Sequence, residues 1–187
     1  FMSYYLVHMP IKARREAVDY FEAKKKTKQW KRADYAAMLR ILDDNIGVLM
    51  KALKDNGFAE NTIVLFYSDN GGHTCTSNAP YRAHKGSLYE GGIKVPLIVK
   101  WPGHITPGSK SPELVNSPDI YPTILQLAGL PPKPEQHVDG NSFHNALVGK
   151  GVDADKAIFW HHPHYRDNAP GVPASAIRKG NYKLIRH

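Results

Sequence analysis

Apolar residues follow two kinds of pattern along this chain. Between residues 33 and 56 they recur at helical spacing, with Tyr35, Met38, Leu39, Leu42, Ile46, Leu49 and Leu53 on one face and Gly57 as a stop. Elsewhere they form short runs rich in β-branched and aromatic residues. Residues 62–67 and 95–99 read as buried strands, residues 3–7 as a strand ending at His8-Met9-Pro10, and residues 157–160 as a further strand. Residues 12–21 predict a short helix and residues 22–32 a polar loop. Ser117-Pro118 supplies an N-cap followed by proline at the first helical position, opening a helix that continues to Gly129. Residues 141–147 read as one or two helical turns.

The order of these elements predicts the fold class. A long helix followed at once by a buried strand is α/β grammar, so residues 1–150 are expected to form part of an α/β sheet with flanking helices. Gly149-Lys150-Gly151 then reads as a linker. Two further strand runs, 174–177 and 182–185, straddle Lys179-Gly180-Asn181, a hairpin signal. Residues 151–187 are therefore expected to begin a small antiparallel β subdomain. The sequence contains no internal repeat and no low-complexity tract.

Composition narrows the function classes. The chain has 187 residues, 42% of them hydrophobic, with 14 Pro and 15 Gly, which predicts a globular, loop-rich protein. Its apolar runs are too short for a membrane span, and its first residues lack the layout of a signal peptide. The single Cys75 excludes an internal disulfide. The net charge of +8 is concentrated: residues 12–32 hold nine Lys/Arg against Glu16, Asp19 and Glu22. Such a run is either a solvated face or an attractor of a polyanion such as a sulfated glycan. Without aromatic interleaving or a nucleic-acid motif, nucleic acid is not expected as a partner.

Candidate chemistry gathers after the first central strand. Asp69-Asn70-Gly71-Gly72 stands where that strand ends, the edge at which open α/β sheets bind ligands. A carboxylate and an amide carbonyl are hard oxygen donors suited to Ca²⁺ or Mg²⁺, although the same pair also makes an ordinary Asx-turn. Arg82, His84 and Lys85 follow in a glycine-rich connection. Asp43 and Asp44 are adjacent on the long helix and point in different directions, so they read as structural or solvated.

Three blocks carry a resemblance: SDNGG at 68–72, HKGSLYEGG at 84–92 and KVPLIVKWPG at 94–103. In this order and spacing they resemble the sulfatase family of the alkaline-phosphatase-like superfamily, and they match its later portion. The resemblance implies a sulfuric ester hydrolase with Asp69 and Asn70 in a divalent site, Ca²⁺ in most members. It places His8, in a His-x-Pro strand end, and Lys85 against the sulfate as catalytic and substrate-holding residues. His73 and His84 flank these positions, while Arg82, Glu90, Gly91 and Gly92 are expected to shape the loop. His164, with His161 and His162, is a candidate to face a sugar ring, since His-His-Pro-His lacks zinc-ligand spacing.

The family's nucleophile is a formylglycine made from Cys or Ser in a Cys/Ser-x-Pro-x-Arg block. Cys75 is followed by Thr76-Ser77-Asn78, and no serine fits. The chain is accordingly expected to be a catalytically incomplete fragment acting on a sulfate ester, with a sulfated carbohydrate as the candidate. The resemblance also implies a periplasmic or secreted setting. The short apolar runs predict no membrane partner, and a truncated sheet exposes a strand edge and apolar surface through which self-association is expected. Two other readings stay open: a phosphonate monoester hydrolase or phosphodiesterase of the same superfamily, and a non-catalytic anion- or glycan-binding fragment.

Overall fold

The computed structural model describes residues 1–24, 32–165 and 172–187. They form two compact units, one of residues 1–62 and 70–94, the other of residues 63–69 and 95–187. Much of the basic run (residues 25–31) and the polar loop after Tyr165 lie outside the described residues. Among the described residues, no helix is long and apolar enough to cross a membrane.

In the first unit, α1 (Arg15–Glu22) packs on α2 (Ala33–Asp55). Ala33, Ala37 and Met38 are buried, and Leu42, Ile46, Leu49 and Leu53 half-buried, so the predicted face is the packed one. Leu39 is the exception and is exposed. Asp43 and Asp44 are both exposed, and Asp44 takes the Arg40 guanidinium one turn away at 2.9 Å. The helix ends in a Schellman motif: Phe58 N–H donates to the Leu53 carbonyl at 2.8 Å and Gly57 N–H to that of Lys54 at 3.1 Å. Gly57 permits this with a φ of 76°.

Residues 3–7 do not form the expected strand. Strand-forming composition becomes a strand only when a neighbour takes its N–H and C=O groups, and among the described residues none pairs with this segment. Beyond α2 the unit is loop, apart from a 3₁₀ turn at Ala59–Asn61 and the single turn α3 (Glu90–Ile93).

In the second unit, β1 (Val64–Tyr67) and β2 (Leu97–Lys100) pair antiparallel with Leu65 opposite Val99. Both were expected to be buried, yet β1 is half-buried and β2 alternates, leaving Ile98 60% exposed. Among the described residues no third strand joins this ribbon. The Tyr67 hydroxyl bonds Ser117 Oγ at 2.7 Å. There the chain makes a 3₁₀ turn, Ser117–Asp119, that runs into α4 (Ile120–Leu127). The N-cap is Asn116, one residue earlier than expected, because its N–H donates to Asp119 Oδ2 at 2.8 Å.

Asp119 is fully buried and joins several segments. Its Oδ1 accepts Asn141 N–H at 2.9 Å, its Oδ2 pairs with the buried Lys156 ammonium, and its carbonyl accepts the Thr123 hydroxyl at 2.7 Å. Thr123 Oγ1 in turn accepts Phe143 N–H at 3.1 Å, next to α5 (His144–Leu147). The final sheet has the order β3-β4-β5: β3 (Ala157–His162), β4 (Ala174–Lys179) and β5 (Tyr182–Arg186), antiparallel throughout. Ile158, Ala174 and Ala176 are buried on one face, whereas Phe159 and Leu184 are exposed on the other. The β4–β5 hairpin turns through Gly180 at a φ of 54°, as its sequence predicts.

Candidate functional site

The loop from Asn70 to Lys94 is built from glycines that let backbone touch backbone. Gly71 N–H donates to the Gly92 carbonyl at 2.9 Å, and Gly91 N–H to that of Arg82 at 2.9 Å. A Cβ on Gly71 would lie 2.0 Å from the Gly91 oxygen, and one on Gly91 would lie 2.2 Å from that of Ala83. No side chain fits either approach, which is the physical reason for glycine there. The expectation that Gly91 and Gly92 shape the loop is met, and Arg82 contributes by its carbonyl and by stacking its guanidinium 4.1 Å over the Tyr89 ring.

On this frame Lys85 is half-buried, with its N–H bonded to the Gly72 carbonyl at 3.0 Å. Its ammonium reaches His8 Nε2 at 3.1 Å. His8 Nδ1 lies 3.0 Å from the Met9 carbonyl. A carbonyl only accepts and an ammonium only donates, so the proton of this imidazole sits on Nδ1 and Nε2 offers its lone pair to Lys85. Two residues from distant parts of the sequence thereby present a cation and a ring nitrogen side by side. The ammonium held this way keeps further N–H donors with which it can bind an oxyanion and offset negative charge that develops on it. The His73 and His84 rings lie 5.7 Å apart, and His84 Nδ1 donates to the Lys85 carbonyl at 3.1 Å, so His84 supports the loop from behind.

Asp69 and Asn70 follow β1 directly, Asp69 exposed and Asn70 half-buried. Both are hard oxygen donors of the type a Ca²⁺ or Mg²⁺ site uses, yet two donors are well short of the six to eight that Ca²⁺ takes. Among the described residues no group of three or more His, Cys, Asp and Glu side chains could hold a metal ion. His164 belongs to the second unit, where its ring meets His162 edge-on at 5.4 Å.

One contributor escaped sequence reasoning. Asn78 binds Gly72 in both directions, with Gly72 N–H to Oδ1 at 3.0 Å and Nδ2 to the Gly72 carbonyl at 2.8 Å. In sequence it stands in Ser77-Asn78-Ala79-Pro80, which signals only a turn.

Known proteins share this arrangement of sequence and fold. The family profile described as Sulfatase matches residues 1–130, and that described as N-sulphoglucosamine sulphohydrolase, C-terminal, matches residues 83–187. A sulfatase of Formosa agariphila is 40% identical over 99% of this chain and 37% of its own length. The crystal structure of Ps i-CgsB superposes with a TM-score of 0.85 at 33% identity, covering 98% of this chain and 40% of that one. BT4656, solved in complex with its substrate D-glucosamine-2-N,6-O-disulfate, superposes with a TM-score of 0.69 at 31% identity, covering 82% of this chain and 31% of that one. These likenesses put the fold in the alkaline-phosphatase-like class. The chain belongs to the sulfatase family, and it spans 37% of the length of the Formosa relative.

Proposed function

We propose that the chain carries the sulfate-holding part of a sulfuric ester hydrolase. The observation that carries this reading is the 3.1 Å contact between Lys85 Nζ and His8 Nε2. The Lys85 ammonium donates to the ester oxygens and offsets charge as the S–O bond breaks, and His8, its Nδ1 anchored on the Met9 carbonyl, holds that ammonium in place through Nε2. Asp69 and Asn70 are proposed as two ligands of a divalent cation, Ca²⁺ or Mg²⁺. When bound, such an ion polarises the ester oxygens as a Lewis acid. No Cys/Ser-x-Pro-x-Arg block occurs among the 187 residues, so the chain alone is proposed to bind sulfate without turning it over.

The substrate class is proposed to be a sulfated sugar, as the disulfated glucosamine bound by BT4656 suggests. His164 is a candidate sugar contact, in an antiparallel subdomain that begins near residue 151. An exported setting follows the family reading. The outward face of the last sheet, with Phe159, Tyr182 and Leu184 exposed, is proposed as the surface for self-association.

The test is calorimetric titration of the chain with sulfate and with phosphate, alongside an aryl sulfate hydrolysis assay. Sulfate is expected to bind, and Lys85→Ala to weaken it by about tenfold or more, since a hydrogen bond to a charged group contributes roughly 1.5–3 kcal/mol. Equal affinity in wild type and variant would overturn the reading. Tighter binding of phosphate than of sulfate would favour the phosphonate hydrolase or phosphodiesterase alternative.

A further inference from the structure

One side chain outside the sulfate-holding pair, that of Asn78, bonds the backbone leading to Lys85. The amide of Asn78 accepts from Gly72 N–H at 3.0 Å and donates to the Gly72 carbonyl at 2.8 Å, copying the paired bonds of neighbouring residues in an antiparallel ladder. The same carbonyl receives Lys85 N–H at 3.0 Å. Asn78 Nδ2 also reaches the Ala83 carbonyl at 3.4 Å. Ala83 has a φ of 64°, a left-handed conformation that alanine rarely adopts, and it is the residue at which the chain turns into His84 and Lys85. Asn78 is thus bonded on both sides of the segment that ends in Lys85.

Residue chemistry narrows what can fill this position. The role needs one acceptor and two donors on a single planar group at short reach. Aspartate keeps the acceptor and loses both donors, serine offers one donor, and glutamine adds a methylene.

We infer that Asn78 is a positioning residue, which holds Gly72 and Ala83 so that the Lys85 ammonium is presented to His8. This rests on the proposed role of His8 and Lys85, and it concerns how that pair is set rather than what it binds.

The experiment is NMR of the 187-residue chain with ¹⁵N-labelled histidine, followed through a titration with inorganic sulfate. In wild type the His8 Nε2 signal is expected to be that of an unprotonated nitrogen accepting a hydrogen bond, and to move as sulfate is added. Asn78→Asp is expected to give His8 ring signals matching those of Lys85→Met and to weaken sulfate binding by about tenfold, the scale of one charge-assisted hydrogen bond, with circular dichroism unchanged. Wild-type His8 signals and sulfate affinity in Asn78→Asp would overturn the inference. If wild-type signals ignore sulfate altogether, the anion reading fails, while the ring signals still decide the role of Asn78. Should Asn78→Asp not fold, hydrogen exchange in wild type decides: Gly72 N–H, Lys85 N–H and the Asn78 side-chain amide are expected to open together. Protection differing by more than about tenfold among them would overturn the inference.

Discussion

The ammonium of Lys85 stands 3.1 Å from Nε2 of His8, a residue 77 positions away in sequence. Neither residue is buried, so the contact contributes little to folding and is available to a ligand. Lys85→Met and His8→Phe are each expected to change stability by less than about 1 kcal/mol while abolishing the rise in unfolding temperature expected with sulfate. Lys85→Arg is expected not to restore it, because a planar guanidinium cannot occupy the place of a compact ammonium. Thermal unfolding with and without sulfate measures all three. A normal sulfate response in Lys85→Met would remove this residue from the site.

The glycine contacts make a sharper prediction, since they concern packing alone. Gly71→Ala and Gly91→Ala place a Cβ 2.0 and 2.2 Å from backbone oxygens, which cannot swing aside as a side-chain tip can. Each is expected to cost about 1–3 kcal/mol or more, the range for overpacking. Gly47→Ala is the control. It lies within α2 with nothing inside 4 Å of the added Cβ, and it is expected to stabilise by up to about 1 kcal/mol through helix propensity. Denaturant unfolding of the three variants gives the comparison, and a neutral Gly91→Ala would show that the loop relaxes.

What could be read from sequence follows from the range of the forces involved. Helix α2 and the β4–β5 hairpin were legible because local periodicity, Gly57 and Lys179-Gly180-Asn181 determine them within a few residues. Residues 3–7 were not, because a strand depends on a partner that local composition does not reveal. His8 and Lys85 were reached through sequence blocks that resemble a family, and the structure places them in contact. Asn78 stayed hidden because its partners are backbone atoms of Gly72 and Ala83, which leave no mark on residue type. The Asp119–Lys156 pair was equally silent: 37 positions separate the two, and either alone reads as a surface charge.

That buried pair supports a prediction about the second unit. Asp119 is 0% exposed, so Lys156→Met leaves a carboxylate in a dry site and is expected to cost about 3–5 kcal/mol. Asp119→Ala is expected to cost at least as much, because it also strands the N–H groups of Asn116 and Asn141. The double variant should recover the uncompensated-charge penalty but not those backbone bonds. It is therefore expected to remain less stable than wild type, and urea unfolding of all four proteins tests this. A double variant as stable as wild type would mean that the backbone groups find other partners.

The last prediction concerns pH and the start of α2. Asp34 lies in the first helical turn and accepts the Tyr35 N–H at 2.8 Å and Arg32 Nε at 3.0 Å. The Arg32 hydrogen bond holds its carboxyl below the usual carboxylate range, against a smaller opposing effect of burial. A folded-state pKa below the unfolded one stabilises the fold above the unfolded value, and this contribution fades as pH falls through the folded value. The pair is largely solvated, so the contribution is below about 1 kcal/mol. Asp34→Asn is expected to unfold at a lower temperature than wild type at neutral pH, and at the same temperature once acid has protonated the wild-type carboxyl. Melting curves at pH 7 and in strong acid check this. A difference that persisted in acid would assign the effect to side-chain geometry, not to charge.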